Sequence, residues 1–208
     1  MLLTIHKDNP PERLMQQVVK CLEDGGVIIY PTDTVYGIGC DIRNRKAIER
    51  ICRIKGIRPE KASFSCICRD LSNISEYAIH VTTPIYKMMK RALPGPYTFI
   101  LEASSQIPRY FQSNKRTVGI RVPDHKIPLE LVRMLGAPLV NTSLHDNDVL
   151  VEYTTDPELI HDQYEKLVDL VIDGGFGGNV PSTVVDCTPK DGSWEIIREG
   201  KGSVDILG

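Results

Sequence analysis

Val27-Ile28-Ile29-Tyr30 constrains the fold more than any other segment. It is four apolar residues in a row, with Gly25-Gly26 before it and Pro31 after it. A run this short and this apolar reads as a strand buried on both faces, so it requires cover above and below. Upstream, Leu14, Val18, Cys21 and Leu22 fall on one stripe at helical spacing, which predicts a helix over 12–24 ended by Gly25-Gly26. Asp8 and Asn9 precede Pro10-Pro11, a capping residue followed by residues tolerated in a first helical turn.

The same interleaving continues along the chain. Helices are predicted from Arg45 to Lys55, with Ile48, Ile51 and Cys52 inward, from Pro84 to Leu93, and from Pro128 to Leu135 with Gly136 as a left-handed C-terminal residue. A last helix opens at Asp156-Pro157 and runs to Leu167. Strands are predicted at 2–5 (an edge), 64–68, 97–101, 117–122, 138–142, 168–172, 183–187 and 195–198. Pro31–Gly39 reads as a polar, glycine-punctuated loop. The fold class that results is α/β (α+β), one domain with a mixed, open sheet. A length of 208 residues suits one domain with its own core.

A net charge of -2 excludes a globally basic nucleic-acid binder, but the charge is segregated along the chain. Arg43–Lys61 carries eight basic and two acidic residues, Tyr86–Arg121 seven and one, and Asn141–Glu199 three and thirteen. The basic stretches fit a solvated helix face, a phosphate or nucleotide site, or an RNA contact. None of the six cysteines forms a C-x-x-C pair, so they read as buried small hydrophobes; Cys66 and Cys68 share one strand face. No run approaches the roughly 18 apolar residues of a membrane span, and no basic-then-apolar leader opens the chain. The cytoplasm is the expected location, with no membrane partner.

Five polar segments adjoin predicted strands, where α/β proteins gather ligands. Pro31–Gly39 offers Thr32, Asp33, Thr34 and Tyr36 as a site or as a structural turn. Lys55-Gly56-Ile57-Arg58-Pro59-Glu60-Lys61 suits a polyphosphate or is a solvated basic turn. Leu93–Thr98 is a turn that shapes the fold or a pocket wall. Gly119-Ile120-Arg121-Val122-Pro123-Asp124-His125 is the fourth, and its Arg121, inside an apolar strand, requires an anion: a ligand or a buried structural partner. Asn141-Thr142-Ser143-Leu144-His145 follows a strand. Walker, G-x-G-x-x-G and G-x-S-x-G patterns are absent, no carboxylate couple stands out, and His125 and His145 are too isolated for zinc, so no metal ligand is assigned.

Taken in order, Pro31–Gly37, Pro94-Gly95-Pro96-Tyr97-Thr98, Ile120-Arg121-Val122-Pro123, Thr142-Ser143, Pro181–Asp186 and Arg198-Glu199-Gly200 resemble the YrdC/YciO family, whose best-known members are threonylcarbamoyl-AMP synthases. The resemblance covers roughly residues 10–200 and is nearer the YciO branch at Glu49–Lys55 and Cys68-Arg69-Asp70-Leu71. It implies a single YrdC-like domain over 1–208, without the further C-terminal domain of longer members. The sheet is expected to be twisted and open, mixed or antiparallel, flanked by helices around a concave basic cleft. The activity implied joins L-threonine, bicarbonate and ATP, with Mg2+, into threonylcarbamoyl-AMP and diphosphate for tRNA adenosine modification. The alternative is a YciO-like paralogue that binds nucleotide or double-stranded RNA or tRNA. No feature sets an oligomeric state.

By position, Lys55 and Arg58 resemble the family's triphosphate-holding cations, and with Thr34 they are the catalytic candidates. Tyr36 resembles part of the threonine and carbamate pocket. Arg121 resembles an anion-holding strand arginine, Arg198 a phosphate-side arginine, and Ser143 and Ser182 hydroxyls near the nucleotide. Three departures stand out. Lys55 and Arg58 are one residue further apart than in the family's Lys-x-Arg-Pro. Ala62-Ser63 occupies the region of an expected Pro-Leu. His145 stands where Ser-Ala-Asn places an asparagine, and is the remaining binding candidate.

Overall fold

A computed structural model describes residues 1–59, 62–72, 74–111, 116–144, 154–189 and 192–208. Among them, eleven strands form one open sheet in the order β1-β9-β2-β3-β8-β4-β7-β6-β10-β11, with β5 paired to β6 outside this path. In chain order the strands are β1 Leu2–Thr4, β2 Ile28–Tyr30, β3 Gly37–Gly39, β4 Ser65–Ile67, β5 Ala78–Ile79, β6 Tyr97–Ala103, β7 Thr117–Arg121, β8 Leu139–Ser143, β9 Leu170–Asp173, β10 Thr183–Asp186 and β11 Glu195–Arg198. The helices are α1 Glu12–Glu23, α2 Arg45–Ile54, α3 Ile74–Tyr77, α4 Thr83–Ala92, α5 Lys126–Leu135 and α6 Pro157–Tyr164. Four pairs are parallel (β1 with β9, β9 with β2, β4 with β7, β6 with β10) and the others antiparallel, so the sheet is mixed as expected.

Side-chain alternation sorts the strands into two cores. Ile29, Ile38, Cys66, Phe99, Ile120, Val140 and Val171 face α2, α4 and α6. Ile28, Tyr30, Ile67, Leu139, Leu170 and Ile172 face α1 and α5. β2 is therefore buried on both sides, which is why Ile28, Ile29 and Tyr30 are all apolar. Cys66 and Cys68 lie in the same core, and all six cysteines are free thiols.

Helix α1 buries Met15, Val18, Val19 and Leu22, a stripe rotated slightly from the predicted one, with Leu14 and Cys21 on its flank. The predicted Asp8 or Asn9 cap does not form: Pro11 is the N-terminal flanking residue and no side chain caps the helix. A missing cap costs about 1 kcal/mol, whereas burying each of those four side chains contributes about 1.5–3 kcal/mol, so packing decides. At α6, Asp156 accepts from the Glu158 amide at 2.9 Å with Pro157 in the first turn, and Gly136 closes α5 at φ +66°.

The Pro31–Gly39 segment is not all loop, because β3 occupies its end. Its composition, Gly-Ile-Gly, is set by its neighbours. A Cβ on Gly39 would lie 1.9 Å from the Val140 carbonyl oxygen, and one on Gly37 2.5 Å from Asn141 Oδ1, with the Tyr30 ring beside both. Among the described residues no helix is long and apolar enough to cross a membrane.

Candidate functional site

Helices α1 and α5 cover only part of their face of the sheet. Register places Ser65 opposite both Asn141 and Gly119, Gly119 opposite Ile100, and Arg121 opposite Ile67, so these residues share the face that α5 covers at Ile67. Beyond Ile67 and Leu139 that face turns small and polar, with Asn141, Ser65, Gly119 and Thr98. The result is a cleft of about 330 Å³ over β8, β4, β7, β6 and β10, a size suited to a small ligand. Gly119 keeps its floor low: a Cβ there would lie 3.0 Å from Ser65 Cβ and 3.2 Å from Thr98 Cγ2.

Thr34, Arg121, Ser143, Ser182 and Arg198 all line this cleft, although they are dispersed along the chain. Thr34 is placed by a local turn in which the Thr32 hydroxyl donates to the Val35 carbonyl at 2.7 Å and accepts from the Thr34 amide at 3.1 Å. Arg121 is buried, and its Nη2 donates to Asp33 Oδ1 at 3.1 Å and to Thr34 Oγ1 at 3.0 Å. The structural partner left open by the sequence is thus Asp33, while Arg121 also lines the cleft. Burial pushes the Arg121 guanidinium below the ordinary arginine value, the Asp33 carboxylate opposes that shift, and the positive charge of Arg198 adds to it. Arginine stays charged at neutral pH regardless.

On the opposite wall, Ser182 Oγ lies 2.8 Å from Thr98 Oγ1. Arg198 donates to the Ser182 carbonyl from Nη2 at 2.9 Å and Nε at 3.2 Å. Gly200 lies so close to Pro181 and Ser182 that a Cβ would be 2.3 Å from the Pro181 carbonyl oxygen. The polar groups at this end are two arginines and several hydroxyls, a donor set for oxyanions. Among the described residues no group of three or more His, Cys, Asp or Glu side chains could hold a metal ion.

Lys55 is not among the residues that line the cleft, and its Nζ donates at 2.5 Å to the carbonyl of Ser143, which does line it. Arg58 is exposed and does not line the cleft. The cause is local. Lys55 is the C-cap of α2, Gly56 follows at φ +65°, and the Gly56 and Ile57 amides return to the Arg53 and Cys52 carbonyls at 3.1 and 3.0 Å. This is a Schellman closure, and it turns the chain before Arg58. Tyr36 is buried in the α2-side core and outside the cleft lining. Its hydroxyl donates to the Gly175 carbonyl at 2.7 Å and accepts from the Gly174 amide at 3.2 Å, and burial pushes its phenol upward. His145 lies outside the described residues.

Ser65 was not read as a site residue from the sequence, and Gly119 entered only as the first residue of the segment that holds Arg121. Their signal is a small or polar residue at alternate positions of an apolar strand: Ser65 between Phe64 and Cys66, Gly119 between Val118 and Ile120, Thr98 between Tyr97 and Phe99.

The Sua5/YciO/YrdC family model, described as "Telomere recombination", matches residues 20–200. The chain belongs to this family. An uncharacterized YciO of Escherichia coli K12 is 45% identical over 202 residues, covering 96% of this chain and 95% of that protein. The crystal structure of E. coli YciO superposes with a TM-score of 0.91 at 40% identity, covering 100% and 98% of the two chains. A threonylcarbamoyl-AMP synthase of Vibrio vulnificus is 32% identical over 190 residues, 89% of this chain and 98% of that one. P. abyssi Sua5, crystallised with L-threonine, shares the fold at a TM-score of 0.85 and 24% identity, over 96% of this chain and 57% of its own. The Sua5/YciO/YrdC match thus joins this chain both to a YciO relative without assigned activity and to a synthase.

Proposed function

We propose that the cleft binds L-threonine, bicarbonate and ATP and joins them into threonylcarbamoyl-AMP and diphosphate, for the modification of tRNA adenosine in the cytoplasm. The observation that carries this reading is the convergence of Thr34, Arg121, Ser143, Ser182 and Arg198 on one cleft. The synthase relative from V. vulnificus supports it. Arg198, beside the Ser182 and Thr98 hydroxyls, would hold phosphate oxygens, and preorganised cations of this kind stabilise a transferring phosphoryl group. Magnesium would enter on the triphosphate. The Asp33 carboxylate is committed to Arg121 and to the Asp124 amide at 3.1 Å, and the remaining cleft donors fit anions rather than a cation. Bound there, magnesium would offset phosphate charge.

One placement favours a second reading, a YciO-like protein that binds nucleotide, double-stranded RNA or tRNA without making the adenylate. Lys55 is engaged with the Ser143 carbonyl, and Arg58 stands outside the cleft. Incubation with L-threonine, bicarbonate, ATP and magnesium separates the two. The first reading requires threonylcarbamoyl-AMP and diphosphate in equal amounts, dependent on threonine. Saturable ATP binding without either product would establish the second.

A further inference from the structure

The pairing of β11 with β10 breaks at one point. Asp186 faces Glu195 and Val185 faces Ile196, but Val184 faces Arg198, so Ile197 is one residue more than the ladder holds. Two residues of β11 then stand opposite one of β10, which is a β-bulge. In an unbroken register Ile197 would face Val184, and Arg198 would face Thr183. Thr183 is fully buried and shares a strand face with Val185, which belongs to the core on the far side of the sheet. Arg198 would then be turned away from the cleft. With the bulge, Val184, Ile197 and Arg198 all line it. The bulge also leaves Ile197 55% exposed. A lone exposed isoleucine is ordinary, but this one continues an apolar strip. Ile100 and Val184 lie half-buried on the same face, since Val184 pairs with Thr98 and Asp186 with Ile100 on β6. Gly119, opposite Ile100 on β7, raises no side chain beside the strip.

We propose that Ile197 is a specificity-determining residue: with Val184 and Ile100 it forms a shelf on which the base of a bound nucleotide lies, while the phosphates extend to Arg198. The inference deepens the proposed function and rests on the cleft being a nucleotide site. Three features select a base among apolar groups. The shelf is made of aliphatic side chains with a glycine beside it, which suits the face of a planar ring. It adjoins Arg198 in sequence, so neighbouring side chains meet an apolar group and an anion, and a nucleotide joins those two in one molecule. Ile197 is open to the cleft, within reach of a ligand as it stands. Covering its exposed surface supplies affinity that a phosphate chain alone cannot draw on. An isoleucine kept only for packing would be turned inward, as the preceding Ile196 is, against the core.

The test uses the whole chain with carbon-13 in its isoleucine δ1 methyl groups, and two probes, ATP and inorganic triphosphate, each with magnesium. The first readout is the Ile197 methyl resonance, assigned by its loss in Ile197→Val. ATP at saturation is expected to move it upfield, the ring-current signature of a base stacked on it, with a nuclear Overhauser contact to a base proton. Triphosphate is expected to produce neither. ATP that binds while the methyl resonance stays in place, or triphosphate that moves it as far, overturns the inference and leaves the nucleotide reading standing. Failure of ATP to bind overturns the nucleotide reading, and the inference with it. The second readout is affinity. Ile197→Ala keeps the length of the strand and is expected to weaken ATP binding about fivefold through lost apolar contact, and triphosphate binding less than about twofold. Equal losses for both probes, or none for ATP, contradict a contact with the base. If Ile197→Ala does not fold, or triphosphate binds too weakly to compare, the methyl resonance of the unaltered chain with ATP decides alone.

Discussion

Replacing Tyr30 by phenylalanine removes one oxygen from a ring that is fully buried on the α1 side of the sheet, and leaves its packing in place. That oxygen donates to Asn141 Oδ1 at 2.9 Å and lies 3.2 Å from the Val140 carbonyl. Asn141 is 4% exposed and forms part of the cleft floor, where its Nδ2 donates to Ser65 Oγ at 3.1 Å. Tyr30 thus anchors the amide from one side and Ser65 from the other. Without the hydroxyl, a buried amide oxygen loses its donor, at a cost of about 1–3 kcal/mol. In a domain of this size that lowers the melting temperature by about 2–4 °C per kcal/mol. The assay is urea unfolding of Tyr30→Phe, Asn141→Ala and the double variant, with an unchanged dependence on denaturant as the control. The expected coupling between the two sites is about 1 kcal/mol or more. Single-variant losses that simply add, to within about 0.5 kcal/mol, would refute the anchoring argument.

Gly39→Ala is expected to abolish stable folding, because its Cβ would lie 1.9 Å from a backbone carbonyl that β8 cannot move; soluble yield and near-ultraviolet dichroism check this, and a variant as stable as the parent contradicts it. His125 caps α5, its Nδ1 accepting from the Ile127 amide at 3.3 Å, and burial pushes its imidazole below the ordinary histidine value. Its folded value therefore lies below the unfolded one near 6.5, so its contribution is present above about pH 6.5 and is lost as pH falls through the lowered folded value. Urea midpoints between about pH 8 and about pH 5 should fall with acid, and His125→Asn should flatten that fall. Arg198→Ala is expected to weaken ATP binding about tenfold by removing two charged donors from the Ser182 wall. Because Arg198 is exposed, its unfolding midpoint should barely move; a large loss of stability with unchanged ATP affinity would make it a structural residue.

Much of the framework is legible in the sequence because its signals are local. Asp156-Pro157 and Gly136 mark helix ends through backbone chemistry that needs no tertiary partner, and α6 and α5 begin and end at them. The apolar run at β2 requires two covering layers, and α1 with α5 on one side and α2 with α4 on the other supply them. β3 is the instructive miss. Gly37-Ile38-Gly39 has little strand preference of its own, and it pairs because β2 and β8 flank it while the Tyr30 ring, the Asn141 amide and the Val140 carbonyl fill the space a side chain would need. Such a strand is dictated from outside, and no window of its own sequence contains the reason.

The site follows the same division. Thr34, Arg121, Ser143, Ser182 and Arg198 converge only through the strand order, which brings β10 and β11 beside β6 and so carries Ser182 and Arg198 to the cleft. Their spacing in sequence is silent about this, and resemblance alone grouped them. Lys55 and Arg58 are the reverse case, where a local signal was present and pointed elsewhere. Arg45 to Lys55 reads as a helix with Ile48, Ile51 and Cys52 inward, and a glycine directly after such a stripe is a helix stop before it is anything else. Gly56 fills that role at φ +65°, and Ile57 completes the closure on Cys52. The segment between Lys55 and Arg58 is therefore a capping turn, and the left-handed Gly56 backbone turns the chain ahead of an exposed Arg58 while Lys55 stays on the Ser143 carbonyl. Residue type suggested two cations aimed at one phosphate chain; backbone conformation separates them, and among the described residues the cationic side chains that line the cleft are Arg121 and Arg198.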